Sequence, residues 1–311
     1  MKALVASEYT PLDRISVTEH PTPTPEAGQV LIRVEAAALN PLDLMLITGA
    51  AKESYPVDHP MVVVMDAAGT VAEVGEGVSG YAPGDPVLAF TGHAGAVAEY
   101  TVATPGPLLA RRPASLDSAH AAAIPESGLT AVCLLRAVAL TEGESVLIVG
   151  ATGGIGLYAV QLAKALGARV VATATEEDEE YLRGLGAAHT VDYKRADVAE
   201  ETLRLVPGGV DVVVDVVNMG ERLTDTARAV RPGGRLVSPL FGPAELGRDV
   251  SPVYIGSFQA QPGDPEDLAA RAADGRLHVE IGARYPLDNA VQAVADFAGK
   301  HIRGKVVITT A

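Results

Sequence analysis

Two textures of hydrophobic and polar positions divide the chain. From Met1 to about Ala121, short apolar runs broken by Pro and Gly recur: "KALVA", "QVLIRVEAAAL", "TVAEVG", "PVLAF" and "GAVAEYTVA". Several alternate apolar with polar residues, the period of half-buried strands, so this stretch predicts a β-rich unit. From about Ala122 strands take turns with helices, beginning with the apolar segment "GLTAVCLLRAVAL". A strand from Val146 to Val149 precedes a helix that sets Ile155, Ala159, Leu162, Ala163 and Leu166 on one face and stops at Gly167. A strand from Arg169 to Thr173 follows. Then come an acidic helix ("EEDEEYLRGLG"), a strand ("HTVDY"), a helix ("DVAEETLRLV"), the apolar strand "VDVVVDVV", a helix ending in "RPGG" and the strand "RLVS". Such repeated βα units form an open, doubly wound parallel sheet of the Rossmann type. The tail offers two helices, "EDLAARAADG" and "LDNAVQAVADFAGK", and a strand, "GKVVIT". It is expected to fold back on the first unit, because an extra edge strand on a completed sheet would need covering.

At 311 residues the chain has ample length for two domains. A formal net charge of -15 repels phosphate backbones and anionic lipids, which argues against a nucleic-acid or membrane-surface role and for a small-molecule substrate. The one cysteine, Cys133, cannot form an intramolecular disulfide or supply the thiolates of common structural zinc sites. The first residues lack a long apolar run, and no apolar stretch approaches ~20 residues, so the expected location is the cytoplasm.

Gly150, Gly153, Gly154 and Gly156 lie between two apolar runs in "VLIVGATGGIGLYAVQLAKALGARVVATA". Glycine weakens helix and strand interiors, so this cluster marks a sharp turn or a close ligand approach. A strand, a glycine-rich turn, a helix and a second strand together form the arrangement that receives a dinucleotide pyrophosphate on backbone N–H groups at a helix N-terminus.

With "ALNPLDLMLITG", "DAAGTVAEVGEGVSGYAPGDPVLAF", "AAAIPESGLTAVCLL", "LGAAHTVDY", "RPGGRLVS" and "HIRGKVVI", the chain resembles, over nearly its full length, the zinc-independent quinone oxidoreductase branch (zeta-crystallin-like) of the medium-chain dehydrogenase/reductase superfamily. The resemblance implies a GroES-like β-rich catalytic domain from residues 1–121 and 257–311, a Rossmann domain from 122–256, a nicotinamide cofactor in the cleft between them, and a homodimer. It implies that Gly150, Ala151, Thr152, Gly153, Gly154, Ile155 and Gly156 hold the pyrophosphate, with Thr130 at the nicotinamide end. Asn40 would face the nicotinamide or the substrate. Val217, Asn218, Leu240, Phe241, Gly242 and Phe258 would line the ribose and nicotinamide, and Thr173, Ala174, Thr175, Tyr193 and Arg195 the adenosine end.

Three departures qualify the resemblance. Zinc-dependent relatives carry a Gly-His-Glu motif and clusters of cysteines, whereas the comparable stretch here is "VVVMDAAG", with Met65 and Asp66 in the ligand region, so no metal site is expected. Asp66 would either tune the cleft or hold a buried turn. Met45 stands where many alkene reductases have a tyrosine proton donor, which leaves solvent, Tyr55, His59 or His93 to supply the proton. Met45 with Leu42, Phe90, Phe241 and Phe258 would form an apolar pocket. In "TATEEDEEY", Asp178 takes the place of the base that pairs with a 2′-phosphate, yet small Thr173, Ala174 and Thr175 leave room for one and Lys194 or Arg195 offers charge. NADPH is therefore expected, with NADH possible. The leading function is hydride transfer to a quinone or an α,β-unsaturated carbonyl. The alternatives are a dedicated enoyl or iminium reductase and a non-catalytic NADPH-binding protein.

Overall fold

A computed structural model describes residues 1–256 and 259–310, which form two compact units: 1–127 with 261–310, and 128–260. The boundaries read from sequence, after 121 and after 256, fall a few residues before these junctions. The turn of chain around Ala122 belongs with the β-rich unit.

In the first unit the chain runs through β1 (Lys2–Ala6), β2 (Ser16–Glu19), β3 (Val30–Ala38), α1 (Pro41–Thr48), β4 (Met61–Val62), β5 (Asp66–Val74), β6 (Pro86–Phe90), β7 (Tyr100–Ala103), β8 (Leu109–Arg111) and α2 (Ser118–Ala122). The helix α3 (Pro125–Ala137) leads into the second unit, which comprises β9 (Ser145–Val149), α4 (Gly154–Ala165), β10 (Arg169–Ala174), α5 (Glu179–Leu185), β11 (Ala187–Asp192), α6 (Val198–Leu205), β12 (Val210–Asp215), α7 (Leu223–Ala227), β13 (Val230–Ser238) and β14 (Ser251–Tyr254). The chain returns to the first unit with α8 (Asp264–Ala273), β15 (Ile281–Pro286), α9 (Ala290–Gly299) and β16 (Lys305–Thr309).

The second unit holds a six-stranded sheet in the order β11-β10-β9-β12-β13-β14, with each neighbouring pair parallel. Every residue of β9 is buried, as expected for a central strand covered on both faces. The helix expected to end in "RPGG" is a correction: α7 stops at Ala227, and Arg231 to Gly234 open β13 instead. Proline is tolerated at that strand's start, where a ladder N–H is dispensable.

The first unit contains a sheet in the order β15-β16-β3-β5-β6-β8, with β7 also pairing β3, and a small sheet β2-β1-β4. The tail does fold back: β16 pairs antiparallel with β3, Val307 opposite Ala38, and supplies Val306, Val307 and Ile308 to the core at 0% exposure. Of "GAVAEYTVA" only Tyr100–Ala103 is a strand.

Candidate functional site

In the second unit the connection from β9 to α4 is built by backbone alone. Gly150 sits in the left-handed region at φ 87°, and its N–H donates to Thr173 Oγ1 at 2.9 Å, which ties the turn to β10. A Cβ on Gly156 would lie 2.1 Å from the Gly150 carbonyl oxygen, so the first turn of α4 rests directly on the loop and only hydrogen fits. At Gly153 the one neighbour within reach is Gly150 O, at 3.4 Å. No side chain caps α4 at its N-terminus. An open glycine, an uncapped helix start and the positive end of its dipole suit an anion. Ala151 and Thr152 are buried beneath, while Gly154 and Ile155 are half-buried. These features fit the pyrophosphate of a dinucleotide.

From β9 the chain winds out through β10 and β11, then returns to the other side of β9 as β12. The glycine turn thus sits at the switch point of the sheet, outside the carboxyl ends of its strands, where ligands of open α/β sheets bind. After β12, buried Asp215 accepts from the N–H groups of Val217 (3.0 Å) and Asn218 (2.9 Å), from Asn218 Nδ2 (2.9 Å) and from Thr226 Oγ1 (2.8 Å). This carboxylate, absent from the sequence reading, shapes the loop that sets Val217 over Gly150, its Cγ2 2.5 Å from where a Cβ would sit. After β13, Leu240 N–H donates to Ser238 Oγ at 3.0 Å and Gly220 N–H to Phe241 O at 2.8 Å. The Phe241 ring is 60% exposed and Gly242 lies against Leu223 and Tyr254. The structure therefore brings the glycine turn, Val217, Asn218 and Leu240 to Gly242 to neighbouring strand ends. Thr130 is buried in α3. Phe258 lies outside the described residues.

Beyond β10 and β11 is a cavity of about 330 Å³ lined by Ala174, Thr175, Glu176, Asp192, Arg195 and Glu201 among others. Arg195 is already engaged, with its guanidinium 2.6 Å from Glu176 and 3.5 Å from Asp192. Thr175 Oγ1 donates to Asp178 Oδ2 at 3.1 Å, and Thr173 spends its hydroxyl on the glycine turn. Tyr193 is exposed and outside the cavity's lining.

The first unit contributes a buried polar cluster. Asn40 precedes α1 and is 1% exposed. Its Nδ2 donates to Asp66 Oδ2 (2.9 Å) and Ala38 O (3.3 Å), while its Oδ1 accepts from Ser127 Oγ (3.3 Å) and from Lys305 Nζ. Two donors and two lone pairs are the whole capacity of an amide, so Asn40 acts within the unit as an organiser. Lys305 also donates to Ser127 Oγ at 3.1 Å and lies 3.5 Å from Asp66. The other Asp66 oxygen accepts from Glu126 N–H at 2.9 Å, and Asp43 Oδ2 accepts from Asn40 N–H at 2.7 Å. Burial pushes the Asp43 carboxyl up to about 8, with the charge of Asp66 adding to it. Burial likewise holds Glu126 well above the usual carboxylate range and raises Asp66 against the opposing pull of Lys305 and Asn40. One ammonium cannot neutralise three buried carboxylates, so Asp43 and Glu126 carry protons near neutrality while Asp66, which has the donors, faces Lys305. Asp66 is therefore the buried holder of the two sequence alternatives. Lys305, Ser127, Glu126 and Asp43 escaped the sequence reading. The Asn-x-x-Asp spacing before α1 and a lysine inside the apolar strand "GKVVIT" were their only signals.

The proton-donor candidates part company. Met45 and Tyr55 are half-buried against the core of the β-rich unit, together with Leu42 and Phe90. His59 places Nδ1 3.3 Å from Ala6 O and its ring edge-on to Tyr9 at 4.6 Å. His93, unlike Tyr55 and His59, lines a cavity of about 350 Å³ whose walls include Leu46, Val57, Met61, Val64 and Met65. Of Met45, Leu42, Phe90, Phe241 and Phe258, expected to form an apolar pocket, the first three pack against the core of the β-rich unit and do not line this cavity, and Phe241 belongs to the second unit. Among the described residues no cluster of His, Cys, Asp and Glu is disposed to hold a metal ion. Thioether Met65, committed Asp66 and buried Cys133 make a poor zinc donor set.

Residues 26–112 match the alcohol dehydrogenase GroES-like domain, and residues 154–252 the zinc-binding dehydrogenase family. The chain is 32% identical over 305 residues to the chloroplast envelope quinone oxidoreductase homolog of Arabidopsis thaliana, covering 93% of this chain and 92% of that one. It is 31% identical over 324 residues to an NADPH-dependent alkenal/one oxidoreductase of the same plant, covering 99% and 79%. The quinone oxidoreductase from Coxiella burnetii superposes with a TM-score of 0.88 at 28% identity, covering 100% and 99%. The glycine-rich turn, the β-rich companion unit and these likenesses converge: the chain belongs to the quinone oxidoreductase branch of the medium-chain dehydrogenase/reductase superfamily.

Proposed function

We propose that this protein reduces a quinone or an α,β-unsaturated carbonyl compound with a reduced nicotinamide dinucleotide. The observation that carries the reading is the uncapped, glycine-lined turn Gly150 to Gly156 at the sheet's switch point. Bound there, the reduced nicotinamide supplies a hydride. The chain's own part is to position the acceptor, exclude water and deliver a proton. Of the proton-donor candidates His93 lines the cavity of about 350 Å³, and His93→Gln is expected to lower kcat by about 100-fold at neutral pH. Loss of reduced-nicotinamide absorbance with a quinone and enone panel tests the function, and absence of binding to either dinucleotide overturns it.

NADPH remains the cofactor favoured by the small residues ending β10. One observation favours a second reading, NADH: Arg195 is held by Glu176 and Asp192, and Glu179 and Glu201 complete an acidic lining that repels a 2′-phosphate. Calorimetric titration with both dinucleotides at fixed salt separates the two. Tighter NADPH requires Arg195 to exchange its carboxylates for the phosphate. We also propose a homodimer through β14, the edge strand of the six-stranded sheet; a monomer in sedimentation equilibrium overturns it.

A further inference from the structure

The cavity of about 350 Å³ in the β-rich unit lies at the small end of ligand sites, which run from ~300 to ~1,000 Å³. Part of its wall is the segment Val62 to Met65, which leads from β4 into β5. Val64 in that wall has φ 72°, in the left-handed region. Glycine adopts this conformation readily, whereas a Cβ-branched side chain is strained in it. Three other non-glycine residues described share a positive φ (Ala139, Arg248 and Asp249), and none of them is β-branched.

The segment around Val64 is held by hydrogen bonds to the carbonyls of the residues before and after it. Val63 O accepts the N–H groups of Ala96 (3.2 Å) and Val97 (3.1 Å), and Met65 O accepts Thr91 N–H (2.7 Å) and Thr91 Oγ1 (3.0 Å). Such over-determined strain is found where a site needs the residue. Val64 lines the cavity while it is 2% exposed and packed into the core of the β-rich unit.

We infer that this cavity seats the acceptor, that it takes a compact planar carbonyl compound of about one ring, and that Val64 sets the size limit. Apolar Leu46, Val57, Met61 and Met65 cover the ring faces, and His20, Asp58 and His93 offer polar contacts to a carbonyl. The assignment of the occupant rests on the oxidoreductase reading; the size limit does not.

The experiment pairs binding with turnover in wild type, Val64→Ala and Val64→Gly. Binding uses two unreactive probes, acetophenone and 2-acetylnaphthalene, in calorimetric titration of the full chain. Wild type is expected to bind the two-ring probe at least about tenfold more weakly than the one-ring probe, and both variants to close that gap. With reactive acceptors, KM for menadione is expected to fall in the variants relative to that for 1,4-benzoquinone, with little change in kcat. Because glycine fits the left-handed backbone, Val64→Gly is expected to melt above Val64→Ala, which reverses the order usual for these residues and shows that both variants are folded. An unchanged probe preference in folded variants overturns the inference. Turnover with an unaltered size profile removes the cavity and leaves the oxidoreductase reading. A shifted probe preference in a protein that never oxidises its cofactor removes that reading and leaves the size limit.

Discussion

The two units build their sites from different materials. In the second, the ligand-facing surface is backbone: a turn whose geometry depends on hydrogen in place of a side chain at Gly150 and Gly156, and a helix start without a cap. In the first, the organising centre is side chains: Asn40, Asp66, Ser127 and Lys305, brought from four places in the sequence to within hydrogen-bonding distance. A backbone site tolerates surrounding change so long as its glycines stay, whereas a buried charged cluster fails when any one partner is lost.

Lys305→Met is the sharpest test of that contrast. It leaves Asp66 buried without its cation and is expected to cost about 3–5 kcal/mol, read by urea denaturation. Adding Asp66→Asn is expected to restore much of the loss, and a double variant as unstable as the single one would show that Lys305 matters for packing instead. Gly156→Ala comes next. With backbone 2.1 Å from the new Cβ, α4 must move off the loop, at an expected cost of about 2–3 kcal/mol and with loss of nicotinamide binding, measured by denaturation and titration.

Asp43 sharpens the comparison through pH. Its carboxyl titrates near 4 in the unfolded chain and about 8 when folded, so the folded state holds the extra proton between these values. The associated stability is complete below about pH 4 and is lost as pH rises through 8. Asp43→Asn is expected to flatten that fall by up to about 1.4 kcal/mol per pH unit, with urea midpoints compared from pH 5 to 8. An unchanged slope would show that Asp43 does not hold a proton in the folded state across this range. The smallest effect is expected at the adenosine end. Glu176→Gln releases one carboxylate from an exposed Arg195, and the NADPH-to-NADH affinity ratio is expected to rise by no more than about fivefold.

The same contrast explains what could be read in the chain. The strand, glycine turn and helix around Gly150 lie within one continuous stretch, and their periodicities change from two to three and a half within view of each other. Val217 and Leu240 to Gly242 come from the family resemblance, and the rule that ligands meet strand ends agrees with it. The cluster in the other unit has no local signature: Lys305 meets Asn40 because β16 pairs with β3, a long-range pairing that no window of sequence contains. Tyr55 and His59 both lie in the connection between α1 and β4, and no window of sequence shows that His59 meets Ala6 and Tyr9. The "RPGG" segment was misassigned because proline and glycine end helices and also open strands.

One consequence of the β16–β3 pairing concerns time. During synthesis Asp66 and Asn40 emerge long before Lys305, and the whole nucleotide-binding unit is made in between. The second unit is contiguous and can fold as it leaves the ribosome, while the first must hold its carboxylates protonated or hydrated until the final strand arrives. The nucleotide-fold unit thus matures before the cluster does, and of the cluster's members the Lys305 ammonium is the last set in place.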